Sequence, residues 1–176
     1  MAHTAELIST GAELLSGRTV NGHAHTLGRA LTRLGFSLVR DTTVPDDVDG
    51  IADAVREALD RVDLVFVSGG LGPTSDDVTR DALARVLGQD IVIDAEALAQ
   101  LTERYQHAGR EVTDMARRQV LVLEAADVLL NPVGLAPGQR LAGPAGQTVF
   151  ILPGPPREFS GVLEAHVLPW LKTGQD

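Results

Sequence analysis

The sequence contains no cysteine, and aromatic residues make up only 3% of its 176 residues. A chain without cysteine has no disulfide framework, no thiolate metal ligand and no thiol nucleophile. Its longest apolar runs are far shorter than the roughly 20 residues that span a bilayer. The first ten residues lack the basic start and apolar core of a signal peptide. We therefore expect a cytoplasmic protein without a membrane partner.

The sequence also lacks an excess of positive charge, since its formal net charge is −9. An acidic chain repels phosphate backbones, so we do not expect a nucleic acid as its partner. A small phosphorylated ligand is compatible with this charge, because local backbone N–H groups or a bound cation can outweigh a distant field. With 44% hydrophobic and 22% charged residues, the composition is that of a globular protein. We expect one domain over residues 1–176.

Short apolar segments alternate with amphipathic ones along the chain. Strands are predicted at residues 5–10, 37–44, 63–67, 127–131 and 147–152. Helices are predicted at residues 21–34, 45–62, 77–88, 94–109, the first half of 113–123, and 155–171. Strands that are apolar throughout are typical of a parallel sheet covered on both faces. The pattern predicts a three-layer α/β/α sandwich with a mostly parallel sheet, and a helical excursion at residues 90–118.

Five segments rich in glycine, proline and small polar residues lie at or near the ends of the predicted strands. They are TGAELLSGRTVN (10–21), VPDD (44–47), SGGLGPTSDD (68–77), NPVGLAPG (131–138) and LPGPPREF (152–159). Ligands of such sheets bind outside the carboxyl ends of the strands, and glycine permits a close backbone approach to them. The segments predict a rim around a phosphate or carboxylate, although each could also be an ordinary strand-to-helix turn.

Several familiar sites are missing. The sequence has no G-x-x-x-x-G-K-[ST] motif, which excludes a P-loop NTPase, and no G-x-G-x-x-G motif after the first strand. It has no G-x-S-x-G motif either, so a serine hydrolase has no support. The five histidines show no shared metal-ligand spacing.

Asp76 and Asp77 are adjacent at the predicted start of a helix. A single aspartate there would be explained by helix capping. Two neighbouring carboxylates repel each other, and a cation held between them and a phosphate removes that repulsion. We expect Asp77 to be catalytic, with Asp76 either sharing a divalent metal ion (Mg, Mn or Co) or capping the helix. Glu13 is the third candidate metal ligand.

The predicted ligand-binding residues come from all five segments. They are Gly11, Glu13, Ser16, Gly17, Asn21, Asp46, Ser68, Gly69, Gly70, Gly72, Pro73, Thr74, Asn131, Gly134, Ala136, Pro137, Gly138, Pro153 and Gly154.

In this order, the five segments resemble the amino-terminal domain of the CinA family (competence/damage-inducible protein A). That domain belongs to the molybdopterin-binding superfamily, together with MogA, MoaB, gephyrin and part of MoeA. The resemblance implies a ligand site along these loops, a nucleotide or pterin such as molybdopterin as the small-molecule ligand, and a homo-oligomer, either a dimer or a trimer. It also implies a divalent-metal-dependent ADP-ribose pyrophosphatase activity.

Two alternatives stay open beside the pyrophosphatase. One is a non-catalytic module that binds molybdopterin or a nucleotide. The other is a molybdopterin adenylyltransferase, which is less expected because Asp76 replaces the arginine of the Arg-Asp pair in adenylyltransferase relatives.

Three positions depart from the pattern that the resemblance implies. His23 stands where CinA proteins commonly have a second asparagine, and Ala116 and Leu123 replace an asparagine and a proline, whereas Gln119 is kept. These departures favour the non-catalytic module. We do not expect residues 1–176 to include the carboxy-terminal deamidase domain of CinA proteins.

Overall fold

The computed structural model describes residues 3–173 of the chain. The strands in this range are β1 Thr4–Thr10, β2 Ser37–Val44, β3 Leu64–Ser68, β4 Ile91–Ile93, β5 Leu121–Leu123, β6 Asp127–Leu129, β7 Gly138–Ala142 and β8 Thr148–Leu152. The helices are α1 Ala12–Leu15, α2 His23–Arg33, α3 Val48–Leu59, α4 Thr79–Leu87, α5 Ala95–His107, α6 Asp114–Arg117, α7 Pro156–Val162 and α8 Leu168–Lys172. No helix within residues 3–173 has both the length and the apolar character needed to cross a membrane.

The main sheet has six strands in the order β2-β1-β3-β8-β7-β6. The pairs β1–β2, β1–β3 and β3–β8 are parallel, whereas β7 is antiparallel to both of its neighbours. The central strand β3 is buried along its whole length, as a parallel strand covered on both faces should be. The mostly parallel sheet that the sequence predicts is therefore confirmed.

Helices cover the two faces of the sheet with separate apolar cores. On one face, Leu27 and Leu31 of α2 and Phe159 of α7 pack with Phe66 and Phe150 of the sheet. On the other face, the buried side chains of α3 and α4 pack with Ile8, Val65, Val67 and Ile151. Successive side chains of a strand point to opposite faces, which is why Phe66 and its neighbours Val65 and Val67 belong to different cores.

The helical excursion is also observed, since α5 and α6 lie between β4 and β5, which pair with each other as a separate antiparallel sheet. The sequence predicts neither β4 nor β7. The segment 113–123 was expected to be helical for at least its first half, and α6 followed by a 3₁₀ turn at Arg118–Val120 confirms this. It ends as β5, a strand that the sequence does not predict.

The last helix contains an unpredicted irregularity. Between α7 and α8 the backbone forms a π-helical turn at Leu163–Val167. Pro169 lies two residues after this turn. Proline lacks the N–H that would continue the α-helical ladder and clashes with the carbonyl four residues earlier. Wide turns of this kind are a common response to an interrupted ladder.

The strand order reverses between β1 and β3, because β2 lies on the far side of β1 while β8 lies on the far side of β3. The connection after β1 leads to α2 on one face, and the connection after β3 leads to α4 on the other. Loops that leave neighbouring parallel strands toward opposite faces open a crevice at their carboxyl ends, which is the usual place for a ligand in an open α/β sheet.

Candidate functional site

A cavity of about 480 Å³ lies in this crevice. The loops after β1, β2, β3 and β8 line it, so the structure brings together four of the five predicted segments. The predicted residues that line it are Gly11, Glu13, Asn21, Asp46, Ser68, Gly69, Gly70, Asp76, Asp77 and Gly154. Residues outside the predicted set also line it, namely Thr10, Leu14, Thr19, Val20, Gly22, His23, Pro155 and Pro156.

A smaller pocket of about 220 Å³ adjoins the cavity and shares the wall formed by Gly70, Asp77, Gly154 and Pro155. It is lined in addition by three predicted residues, Gly72, Ala136 and Pro153. Gln119 and Glu158 also line this pocket. The fifth predicted segment, 131–138, therefore reaches the site through Ala136.

The remaining predicted residues line neither space. They are Ser16, Gly17, Pro73, Thr74, Asn131, Gly134, Pro137 and Gly138. Asn131 is fully buried; its Oδ1 accepts from the N–H groups of Val133 and Gly134, and its Nδ2 donates to the Ala136 carbonyl. Its side chain thus shapes its own loop. The role of these eight residues in ligand binding stays a prediction.

Two glycines after β3 bring the backbone close to β1. Gly69 and Gly70 have φ of 102° and 63°, values that favour glycine. A Cβ at Gly69 would lie 2.7 Å from the Thr10 carbonyl oxygen. Side chains at these positions would separate the loops after β1 and β3.

The carboxylate of Asp77 stabilises the glycine loop, residues 69–77, through hydrogen bonds to the loop itself. Its Oδ1 accepts from the Gly72 N–H at 2.7 Å, and its Oδ2 accepts from the N–H and the hydroxyl of Thr74 at 2.8 and 2.6 Å. Helix α4 begins only at Thr79, and its first residues receive no capping bond from a side chain. The expected helix cap by Asp76 is therefore wrong. The structure gives Asp77 a role in loop shape, while its catalytic role stays a prediction.

Arg80 stabilises the glycine loop as well, through hydrogen bonds to its carbonyl groups. Its guanidinium donates to the carbonyl oxygens of Leu71 and Gly72 at 2.9 and 2.8 Å, and the residue is 4% exposed. Burial lowers the pKa of Arg80 to about 10, against the opposing charges of Asp77 and Asp81. The guanidinium is therefore still charged at neutral pH, and the loop is fixed through both its N–H groups and its carbonyl groups.

Replacing Arg80 with Lys should lower the free energy of unfolding by about 1 kcal/mol, because an ammonium cannot reproduce the two-pronged bond to both carbonyls. Urea unfolding measures the change. Arg85→Lys is the control, since Arg85 is exposed and, within residues 3–173, its one ion pair is with Asp49. We expect this variant to stay within about 0.5 kcal/mol of the parent. Equal stability of the Arg80 variant and the control would show that the loop does not depend on the guanidinium.

The loop after β1 is fixed by polar side chains of the site. Asp46 Oδ2 accepts from the Ala12 N–H at 3.0 Å. Asn21 donates to Ser9 Oγ at 2.9 Å and accepts from the His23 N–H at 3.1 Å, which connects the end of β1 to the first residue of α2. The carboxylate of Glu13 folds over Gly11, where a Cβ would lie 2.6 Å from its Oε1.

His23 lines the cavity, although the sequence predicts no binding or catalytic role for it. It is 8% exposed, its Nδ1 lies 2.9 Å from Ser68 Oγ, and its ring stacks on Phe159 with centroids 4.1 Å apart. Burial lowers the pKa of His23, and a hydrogen bond to the Gly154 backbone opposes that shift. The only signal in the sequence is the departure from asparagine at this position.

The charges of the cavity are of one sign. Glu13, Asp46, Asp76 and Asp77 line it, and among its described lining residues there is no lysine or arginine. Within residues 3–173, no group of three or more His, Asp or Glu side chains is arranged to hold a metal ion by itself. An anion that enters the cavity must therefore meet backbone N–H groups and bring, or acquire, a positive charge.

A comparison with family models matches residues 6–173 to the family described as "Probable molybdopterin binding domain". Among curated relatives, a CinA-like protein of Thermotoga maritima is 43% identical over 92% of this chain, and one of Gemmatimonas aurantiaca is 44% identical over 95%. In both cases the match covers 39% of the relative. The chain thus spans about two fifths of the length of these relatives.

Solved structures also include a CinA protein among the chains that resemble this one. The CinA protein of Thermoplasma acidophilum, whose function is described as unknown, superposes with a TM-score of 0.84 at 41% identity, over 93% of this chain and 95% of that one. MoaB of Thermus thermophilus, described as a molybdopterin biosynthesis enzyme, superposes with a TM-score of 0.62 at 20% identity over 98% of both chains. At that identity the second match shows a shared fold.

Proposed function

Since the chain belongs to the family of probable molybdopterin binding domains, as a CinA-like member, we propose that it hydrolyses the diphosphate of ADP-ribose or a related nucleotide with a divalent metal ion. The observation that carries the proposal is the acidic lining of the cavity, which has no lysine or arginine among its described residues. A diphosphate in such a cavity needs a cation to offset the charge of both partners.

The carboxylate oxygens that line the cavity are suitable ligands for a hard divalent cation. Mg²⁺ is bound in proteins by one or two carboxylates together with substrate phosphates, so it does not need a complete cage of side chains. The exposed carboxylate of Asp76 lines the cavity and, among the described residues, accepts a hydrogen bond only from the Ser75 hydroxyl. Glu13 lines the same cavity. Asp76 and Glu13 would hold the ion, whereas both oxygens of Asp77 already accept hydrogen bonds. When bound, the ion would neutralise phosphate charge and favour ionisation of a water molecule.

The backbone supplies the donors for the phosphates. The Gly69 N–H is bonded to the Leu152 carbonyl, and the N–H groups of Gly72 and Thr74 are bonded to Asp77. Among the described residues, the N–H groups of Gly70 and Gly154 have no acceptor within the protein. These two line both the cavity and the adjoining pocket, so a diphosphate bound there would lie at the shared wall.

The proposed reaction consumes one water molecule. The water oxygen forms a bond to one phosphorus of the diphosphate, the bridging P–O bond breaks, and the leaving phosphate departs with its electron pair. From ADP-ribose the products are AMP and ribose 5-phosphate, with release of protons. The chain contributes by binding, orientation and charge, which is how most phosphoryl transfer is catalysed.

The direct test incubates the purified protein with ADP-ribose and Mg²⁺, Mn²⁺ or Co²⁺ and follows AMP by chromatography. We expect AMP with at least one of these ions and none after addition of EDTA. A mock purification from cells without the protein is the control. The absence of AMP above that control with every ion would refute the proposal.

The second candidate is a module that binds molybdopterin or a nucleotide without turnover. The observation that favours it is that two apolar residues, Leu14 and Val20, line the cavity, and that Val20 is 89% exposed. Such residues suit the face of a planar ring. Calorimetry separates the two candidates, because saturable binding of a nucleotide or pterin without product supports the module.

A further inference from the structure

Among the described residues that line the cavity, His23 has the one basic side chain. We propose that His23 takes up a proton when a phosphate-bearing ligand enters the cavity, and thereby becomes the positive side chain of the binding site. The inference rests on the proposed function in so far as it requires an anionic ligand, but it concerns binding and is tested without turnover.

The charges around His23 support this role. The titratable groups that face the cavity with it are Glu13, Asp46, Asp76 and Asp77, from the loops after β1, β2 and β3. The residues in direct contact with the His23 ring are Ser68 at the end of β3 and Phe159 of α7, and neither carries a charge. Burial keeps the ring neutral in the free protein by lowering the pKa of His23. An anion within the cavity favours the imidazolium, because an opposite charge stabilises the protonated form.

The hydrogen bonds of His23 can accommodate both protonation states. In the neutral ring, Ser68 Oγ donates to Nδ1, and the other nitrogen donates toward the Gly154 backbone. After proton uptake, Nδ1 would donate to Ser68 Oγ, whose own hydroxyl hydrogen would turn to the Pro153 carbonyl, 3.4 Å away. Rotation of one hydroxyl therefore satisfies the buried groups in both states, which removes the usual penalty for an unpaired buried donor.

Proton uptake makes ligand affinity depend on pH. The bound anion raises the pKa of His23, so the extra affinity is fully present below the pKa of the free protein, which burial lowers from the ordinary histidine value. It is lost as the pH rises through the pKa of the complex. Between the two values the association constant should fall by up to about tenfold per pH unit.

Isothermal titration calorimetry with ADP-ribose and Mg²⁺ tests the inference. Binding at neutral pH is measured in two buffers that differ in ionisation enthalpy, and the difference in heat gives the protons taken up. We expect roughly half a proton or more per ligand for the parent protein and none for His23→Asn. The variant His25→Asn, which alters an exposed histidine of the same helix, should match the parent.

A histidine NMR titration of the unaltered protein guards against a folding defect in the variant. The ring signals assigned to His23 should move to the protonated position when ADP-ribose is added at constant pH. Binding without proton uptake and without this shift would overturn the role of His23 while leaving the proposed ligand class intact. If ADP-ribose does not bind at all, both proposals fail.

Discussion

Replacing Asp77 with Asn should lower the free energy of unfolding by about 2 kcal/mol and weaken ADP-ribose binding by roughly tenfold or more. Its two oxygens accept three hydrogen bonds, from the Gly72 N–H and from the N–H and hydroxyl of Thr74. An asparagine would turn an NH₂ group toward one set of these donors. The loop would then lose the shape that places Gly70 between the cavity and the adjoining pocket. Urea unfolding and calorimetry measure the two effects.

Asp76→Asn is the matched control, because it makes the same chemical change one residue earlier. Among residues 3–173, the exposed carboxylate of Asp76 accepts a hydrogen bond only from the Ser75 hydroxyl, at 3.3 Å. We expect its stability to stay within about 0.5 kcal/mol of the parent, while metal-dependent AMP formation falls by roughly tenfold or more. The opposite pattern, with Asp77→Asn stable but inactive and Asp76→Asn active, would show that Asp77 is the metal ligand that the sequence predicts.

The central fold could be predicted because its signals are local. The run from Asp63 to Val67 is almost wholly apolar, and β3 is buried at every position. Leu27 and Leu31 recur at helical spacing and face the core. Such periodicities fix element type and burial without knowledge of the partner. The carboxyl ends of parallel strands meet at one edge, so the segments that form the site could also be found in advance.

The strands that the sequence did not predict form through contacts with residues that are distant in the sequence. Strand β7 includes Gln139 and Arg140, which break an apolar pattern. Gln139 is nevertheless fully buried. Its Oε1 accepts from the Leu123 N–H, 16 positions away, whereas its Nε2 has no hydrogen-bond partner among the described residues. Strand β5 lies within a stretch whose first half is helical, and it forms by pairing with β4. No local propensity reveals such pairings.

The roles of individual site residues were harder to predict than their location. Asp77 was expected at the cavity and lines it, yet three hydrogen bonds within its own loop occupy its oxygens. Asn131 was expected to contact a ligand, yet the fold closes its loop around it. A carboxylate or amide side chain satisfies backbone donors wherever the turn geometry allows, and that geometry depends on the packing of neighbouring loops.

Gly70→Ala should have the largest effect on the site. Gly70 has a φ of 63°, and an added Cβ would lie 2.2 Å from Thr79 Oγ1 and 3.3 Å from Thr10 Oγ1. Thr79 is fully buried at the start of α4, so the contact can be relieved only by moving the loop or the helix. We expect a loss of about 3 kcal/mol in the free energy of unfolding, made up of backbone strain and overpacking. ADP-ribose binding should fall below detection, because the N–H of Gly70 moves with the loop.

The variant Gly88→Ala separates the cost of backbone strain from the cost of overpacking. Gly88 ends α4 with a φ of 64°, almost the value at Gly70, but an added Cβ there has nothing within 4 Å. Its substitution therefore carries the backbone strain alone, about 1 kcal/mol, and should leave ADP-ribose binding unchanged. The difference between the two variants in urea unfolding measures the close packing of Gly70 against Thr79. If both variants lose the same stability and both still bind ADP-ribose, Gly70 is required only for its φ, and the narrow contact between the loops after β1 and β3 does not define the site.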